Sequence, residues 1–242
     1  MPDIRYKRIL LKVSGEVLGG YGSGQFDFEF MRDFLTQVKE VSQLGVGIGI
    51  VVGGGNILRG SEAQGKGLGR VAADYIGMLG TVINGIALRD VASGLGFDLR
   101  VMTCLAGSGI AEPYVVEEAL EHIGQGYPVV FVGGTGNPFL TTDTAAALRA
   151  AEIKADVLLK ATKVDGVYTS DPMVDSNAKR FERITYREAA QLELNFMDRS
   201  ALWICQRMGI PIVVFNVHEE NGLKRIVLGE RIGTIVEGVS ND

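Results

Sequence analysis

Cysteine, histidine and tryptophan are nearly missing from this 242-residue chain, which has two, two and one of them. Cys104 and Cys205 cannot form a disulfide framework in a chain of this size. They sit in apolar runs (VMTCLAG and LWICQRM) and are expected to be buried structural thiols in a reducing compartment. His122 and His218 lack ligand-like neighbours, so a zinc site is not expected. An excess of positive charge is missing as well: the formal net charge is -5. That excludes general binding to nucleic acid or to an anionic membrane, both of which rely on a basic surface. No apolar run is expected to reach the roughly 20 residues of a membrane span. The first apolar stretch, in MPDIRYKRILLKVSG, is cut by Lys12 and does not read as a secretory signal, so a cytoplasmic location is expected. A complete G-x-G-x-x-G is missing, which weakens a dinucleotide site and with it an oxidoreductase reading. Residues 60–66 spell G-x-x-x-x-G-K, but Gly67 stands where a P-loop needs Ser or Thr, and no strand leads into the motif.

With hydrophobic residues at 46% and charged residues at 22%, the chain has ample core material. One domain covering residues 1–242 is expected, without repeats, low-complexity tracts or linkers. Apolar runs predict strands over 8–13, 47–52, 99–103, 128–132, 156–160 and 211–215, with a short last one over 233–236. Helical patterns lie between them, near 27–44, 70–92, 113–123, 143–154, 186–192 and 198–208. Near-continuous apolar strands alternating with helices predict an α/β fold: a mostly parallel sheet covered on both faces. Residues 163–183 form the one long polar excursion, where an Asp-Gly pair suggests a small hairpin.

Residues 128–143, PVVFVGGTGNPFLTTD, are the most telling stretch. A strand opens into a loop of glycines and hydroxyls that runs into an Ala-rich helix. Such a loop presents free N–H groups and the positive end of a helix, which suits phosphate. Gly133, Gly134 and Gly136 allow close backbone approach; Thr135, Asn137, Thr141 and Thr142 add donors, and Asp143 a carboxylate. At a helix start, Asn should be able to replace Asp143 with little change in stability. Lys12 ends an otherwise apolar strand beside Ser14 and Gly15, Gly53–Asn56 reads GGGN, and Arg59 could make a forked contact to phosphate. In a parallel sheet these loops, with Lys160-Ala-Thr-Lys163, all follow strands and fall on one edge, where ligands bind. Asp198 opens a helix, so it is either a cap or a site residue.

With these residues collected, KRILLKVSGE, VVGGGNILRG, AADYIGMLGTVINGIALRD, GTGNPFLTTDTAAALRA and ADVLLKATKVDGVYTSDP resemble the amino-acid kinase superfamily, in the family's order and over most of the chain. The similarity is strongest to its bacterial members that act on UMP. The resemblance implies a three-layer αβα sandwich like that of carbamate kinase, and reversible transfer of the ATP γ-phosphoryl group to UMP with magnesium. It implies that Lys12, Val13, Ser14, Gly15, Gly55 and Arg59 contact ATP, with Thr162, Tyr168 and Asp171 around its nucleotide. Gly54, Asp74, Thr135, Gly136, Asn137, Pro138, Phe139, Leu140, Thr141 and Thr142 would hold UMP. Lys12, Arg59, Asp143 and Asp198 would form the catalytic set, with Mg²⁺ carried mainly by ATP and Asp143 nearby. Gly20, Tyr21, Gly22, Ser23, Gly24 and Gln25 correspond to a region linked to GTP activation, with UTP as an inhibitor. The family also implies a homo-oligomer, a hexamer built from dimers; the 70–92 segment, apolar on more than one side, suits such an interface. The alternatives are another enzyme of the superfamily, making an acyl phosphate, and a non-catalytic nucleotide-binding or storage protein on the same fold.

Overall fold

The computed structural model describes residues 3–20, 25–58, 67–105, 109–172, 174–175 and 177–238. Its described strands are β1 (Arg8–Val13), β2 (Gly47–Val52), β3 (Arg100–Thr103), β4 (Glu112–Pro113), β5 (Val129–Val132), β6 (Val157–Thr162), β7 (Arg183–Thr185), β8 (Ile212–Asn216) and β9 (Thr234–Glu237). They join in one sheet in the order β4-β3-β5-β2-β1-β6-β8-β9-β7. Every described pairing is parallel except β8 with β9. β1 lies between β2 and β6, so its side chains are buried on both faces, as its unbroken apolar run requires.

The two faces separate by the period-2 alternation of strands. Ile9, Leu11 and Val13 of β1 join Val157, Leu159 and Ala161 of β6 in one core. That core is covered by α1 (Gly15–Leu18), α2 (Phe28–Gln43), α3 (Arg70–Gly94) and α8 (Gly222–Val227). Leu10 and Leu158 point the other way. Their core is covered by α4 (Val116–Gly124), α5 (Thr142–Glu152), α6 (Tyr186–Gln191) and α7 (Arg199–Met208). The expected α/β three-layer arrangement is present.

Two helices carry most of the site. α5 buries four alanines between the sheet and α7, with Ala145, Ala146, Ala147 and Ala150 all at 1% exposure or less. Side chains this small let its backbone lie close to the strands. α3 is long and apolar enough to cross a membrane by length and composition alone. Its uncharged run, bounded by Asp74 and Arg89, stays shorter than a membrane span, as expected. In the fold it is a core helix: Met78, Val82, Leu88 and Ala92 are buried, and Thr81 and Asn84 are buried with hydrogen bonds.

The differences from the sequence reading are in short pieces. β4, β7, α1 and α8 were not anticipated, because two to six residues are too few to establish a period. The helix expected from 113 starts at Val116, since Glu112–Pro113 pairs with β3 as an edge strand. The hairpin expected in 163–183 is reduced to one antiparallel bridge between Tyr168 and Arg180. Two backbone bonds flank that bridge, Thr169 N–H to Lys179 O at 3.0 Å and Phe181 N–H to Val167 O at 2.9 Å. Of the two cysteines, Cys205 is buried as expected, whereas Cys104 is only half-buried.

α3 crosses the loop after β2 at backbone contact. A methyl group on Gly54 would overlap the Gly77 carbonyl oxygen and lie 3.2 Å from Thr81 N. Gly54→Ala is therefore expected to lower stability by about 1–3 kcal/mol, the usual cost of overpacking. A urea unfolding curve with an unshifted midpoint would refute this reading of the contact.

Candidate active site

Lys12 and Lys160 are register partners on the adjacent parallel strands β1 and β6. Each stands two residues after a leucine, Leu10 or Leu158, in the core beneath α5, so each points to that same face. They are 9% and 8% exposed. Asp143, in the first turn of α5, meets both: Oδ1 is 2.9 Å from Lys12 Nζ and Oδ2 is 2.7 Å from Lys160 Nζ. Lys160 also donates to the Phe196 carbonyl. Burial by itself would raise the pKa of Asp143, but the two ammonium charges outweigh it and hold the carboxyl below its usual range. Burial, followed by repulsion from Lys12, pushes Lys160 below the ordinary lysine value, with Asp143 pulling it back. Two cations share one anion at the positive end of a helix, leaving an electrostatic surplus that suits a polyanion.

Asp143 is not the cap of α5. That role belongs to Thr141, whose Oγ accepts from the N–H groups of Asp143 and Thr144 at 3.1 and 3.3 Å. Thr141 in turn donates its hydroxyl to Asp198, and Thr144 lies 3.2 Å from both Asp198 oxygens. Asp198 is the N-cap of α7, accepting from Ala201 N–H at 2.8 Å. It therefore ties the starts of α5 and α7 together behind the lysine pair. Burial, and then the Asp143 and Asp198 carboxylates, push the Cys205 thiol up to about 12.

The glycine loops close on one another. Gly15, after Ser14 (the N-cap of α1), is packed so tightly that a Cβ would lie 2.6 Å from Gly55 N and 2.7 Å from Gly53 O. Buried Asn84 of α3 donates to Gly53 O at 2.6 Å and exchanges amide bonds with Asn56 at 2.8 and 2.9 Å. Asn56 also donates to Gln25 O at 2.7 Å. Val13 is fully buried at the end of β1. Arg59 and the stretch Tyr21, Gly22, Ser23 and Gly24 lie outside the described residues.

The loop 133–142 is bent by Gly133, Gly134 and Gly136 at φ of 78°, 57° and 78°, and by Phe139 at φ 70°. Gly133 N–H donates to Thr81 Oγ at 2.7 Å. Thr135 Oγ bonds with Asn137 N–H and O at 3.2 and 3.1 Å. Phe139 N–H donates to Asp74 Oδ2 at 2.8 Å, while Arg70 Nε donates to the same carboxylate at 2.8 and 3.0 Å. Pro138 sits within this turn, and Leu140 is 44% exposed. Thr162 closes β6 and donates to Val164 O at 2.7 Å. Tyr168 and Asp171 line a cavity of about 400 Å³ that also has Asn195 and Phe196 in its wall. The Phe196 carbonyl bonded to Lys160 places this cavity beside the lysine pair.

The structure brings Lys12, Asp143 and Asp198 into one cluster, with the Ser14–Gly15, 53–56 and 133–142 loops around it. Sequence reasoning placed Lys160 on the right edge but did not count it as a site residue. The signal was present, because ILLKVSG and VLLKATK end two strands in the same way. Asn84 and Thr81 were missed too; two polar residues inside an apolar helix marked them.

The amino acid kinase family matches residues 7–216, and the chain belongs to that family. It is 46% identical over 241 residues to the uridylate kinase of Legionella pneumophila (strain Corby), covering all of this chain and 98% of that one. It is also 46% identical to the chloroplastic uridylate kinase PUMPKIN of Arabidopsis thaliana, over 99% of this chain and 71% of the other. Among solved structures, the UMP kinase of Bacillus anthracis superposes with a TM-score of 0.93 at 38% identity, covering 97% of each chain.

Asp143 holds a folded-state pKa below its unfolded value. Its stabilisation is thus complete above the unfolded value, about 4, and is lost as pH falls through the folded one. Asp143→Asn leaves two buried ammonium groups without a counter-charge. It should cost about 3–5 kcal/mol at neutral pH, contrary to the small change expected for a helix-start residue. The variant should also lose the part of the acid-side decline that Asp143 contributes. Unfolding curves taken from neutral to acidic pH check both; an unchanged midpoint at neutral pH would refute the buried triad.

Proposed function

We propose that this chain is a UMP kinase, transferring the γ-phosphoryl group of ATP to UMP and releasing UDP and ADP. The observation that carries the phosphoryl-transfer reading is the Lys12–Asp143–Lys160 cluster at the start of α5, ringed by glycine-rich loops. The full-length similarity to uridylate kinases supports the choice of acceptor.

The mechanism follows from charge and position. A UMP phosphate oxygen is already nucleophilic at neutral pH, so no general base is needed. It forms a bond to the γ-phosphorus as the bond to the ADP oxygen breaks. The protein's part is to hold two polyanions in line and offset charge on the group in flight. Lys12 and Lys160 face that group, and Asp143 holds the two ammonium groups in place. Ser14, Gly15, Gly55 and Arg59 receive the ATP phosphates, with Tyr168 and Asp171 beside the nucleotide in the 400 Å³ cavity and Thr162 next to it at the end of β6. The 135–142 loop, with Gly54 and Asp74, receives UMP.

Among the described residues, no three His, Cys, Asp or Glu side chains come together to hold a metal, and both Asp143 oxygens face lysines. These residues fit a Mg²⁺ that arrives on the nucleotide's phosphates with Asp143 nearby, which is how this cation is commonly bound. Bound there, it would neutralise charge on the β- and γ-phosphate oxygens.

The catalytic unit spans residues 1–242 and works in the cytoplasm as a homohexamer built from dimers. Val71, Tyr75, Leu79 and Ile83, four residues apart on α3, are between 42 and 53% exposed while the opposite side packs in the core. This apolar stripe suits a subunit contact. GTP as activator and UTP as inhibitor would act between subunits, and the Gln25 carbonyl accepts a bond from Asn56 of the nucleotide loops.

UMP should exceed CMP and AMP in kcat/KM by at least ~10²-fold, because a base edge read by hydrogen bonds rejects a swapped donor pattern. A coupled assay with a nucleoside monophosphate panel decides this, and comparable values for CMP and UMP would overturn the assignment. Light scattering should give a mass several times that of the chain, and Leu79→Glu should reduce it. A monomer mass at micromolar protein would rule out the assembly, and superimposable UMP curves with and without GTP or UTP would rule out the regulation.

A further inference from the structure

The mechanism leaves a buried arginine of α5 unused. Arg149 is 5% exposed, in a place where a guanidinium needs polar partners. One amino group donates to Cys104 Sγ at 2.9 Å, and the other pairs with Glu152, the last residue of α5. The guanidinium carbon lies 3.8 Å from the centre of the Tyr114 ring. Tyr114 donates its hydroxyl to the same Glu152 carboxylate at 2.6 Å. Tyr114 is itself fixed, by its N–H bonding to Thr103 O at 2.9 Å and by its ring meeting Phe131 edge-on at 5.4 Å. Burial raises the Cys104 thiol even against the Arg149 charge, and burial with the Glu152 bond raises the Tyr114 hydroxyl. Cys104 and Tyr114 thus keep their protons through the neutral range.

What this cluster holds is the floor of the acceptor loop. A Cβ on Gly136 would lie 3.3 Å from Cys104 Cβ and 3.3 Å from its carbonyl oxygen; one on Gly133 would lie 3.2 Å from Cys104 N. Cys104 therefore lies directly beneath the 133–136 turn. Arg149 reaches back from the helix that follows the loop to the residue beneath it, closing a ring through Cys104, the loop and α5. Asp143, at the far end of α5, is fixed separately by the two lysines.

We propose that Arg149 is a positioning residue for the phosphoryl acceptor: by gripping Cys104 it sets the shape of the 133–142 loop, and so the fit of UMP but not of ATP. The proposal rests on the UMP kinase reading. Removing the guanidinium frees the loop from its floor while leaving the lysine pair and the Ser14–Gly15 side of the site in place.

The test is steady-state kinetics on the full chain, with UMP and ATP varied in turn, for wild type, Arg149→Met, Arg149→Lys and Cys104→Ala. Arg149→Met should raise KM for UMP by roughly tenfold or more, the scale of a small misplacement, with KM for ATP unchanged within about twofold. Arg149→Lys should be intermediate, since one ammonium cannot span both thiol and carboxylate as the fork does. Cys104→Ala should give the same split in smaller measure, and it carries the test if Arg149→Met does not fold. Equal rises in both KM values, or a fall in kcat alone, would overturn the proposal.

A second readout does not need turnover. Cys205 is fully buried and Cys104 half-buried, so a thiol reagent reports on Cys104. Arg149→Met should speed its labelling, and UMP should slow labelling in the wild type. Labelling unchanged by the substitution would overturn the role of Arg149. A wild type that phosphorylates other acceptors but not UMP, with labelling speeded in the variant, would instead sink the UMP reading and leave the loop's anchor standing.

Discussion

Two ammonium groups sharing one carboxylate in a nearly dry pocket is the arrangement on which everything else in this structure depends. One carboxylate is enough to let the lysines be buried and too little to neutralise them. An extra aspartate bonded to both lysines would satisfy the pocket and remove its appetite for phosphate. A missing one would leave repulsion between like charges with no counterweight. The fold keeps the balance by holding Asp198 away from direct contact with the lysines, using it to join the starts of two helices.

The surrounding packing can be read as the means of delivering that carboxylate. The alanine face of α5 brings the helix close to the sheet, so that a short aspartate side chain spans the remaining gap to both lysines. On the opposite side, Asn84 joins the loop after β2 to α3, and the interlocked glycines of 15 and 53–55 hold the loops after β1 and β2 against each other. Loops otherwise free to move are fixed by backbone contact, which preorganises N–H groups before any ligand arrives.

Much of this was legible in the sequence. Long apolar strands separated by amphipathic helices specified the α/β layers, and β1 and β2 have the bounds expected of them. Lys12 stood out because a charge at the end of an apolar run needs a reason, and the glycine-hydroxyl loop before α5 advertised itself. What was hidden was pairing. Nothing local says that β1 and β6 are neighbours, so Lys160 could not be joined to Lys12 until the strand order was known. The weight Asp143 carries was hidden for a related reason: a first-turn acid behind a threonine cap has a sufficient local account, and the second lysine on it comes from a distant strand. Arg149 carries no local mark of its role, because its partners Cys104 and Tyr114 come from distant stretches. Short elements such as β4 and α8 lack the length for any period to appear.

The register of β1 against β6 has a consequence for folding fidelity. Lys12 and Lys160 face each other across the ladder and point beneath α5. A strand that slipped by one residue would turn its lysine into the opposite, apolar core, beside Leu159 if β1 slipped or beside Leu11 if β6 did. The misregistered chain would then bury an unmatched charge and lose half of its phosphate-facing pair in the same event. The charges that serve the chemistry also proofread the sheet, so a chain that has found its site has, by that fact, found its strand alignment.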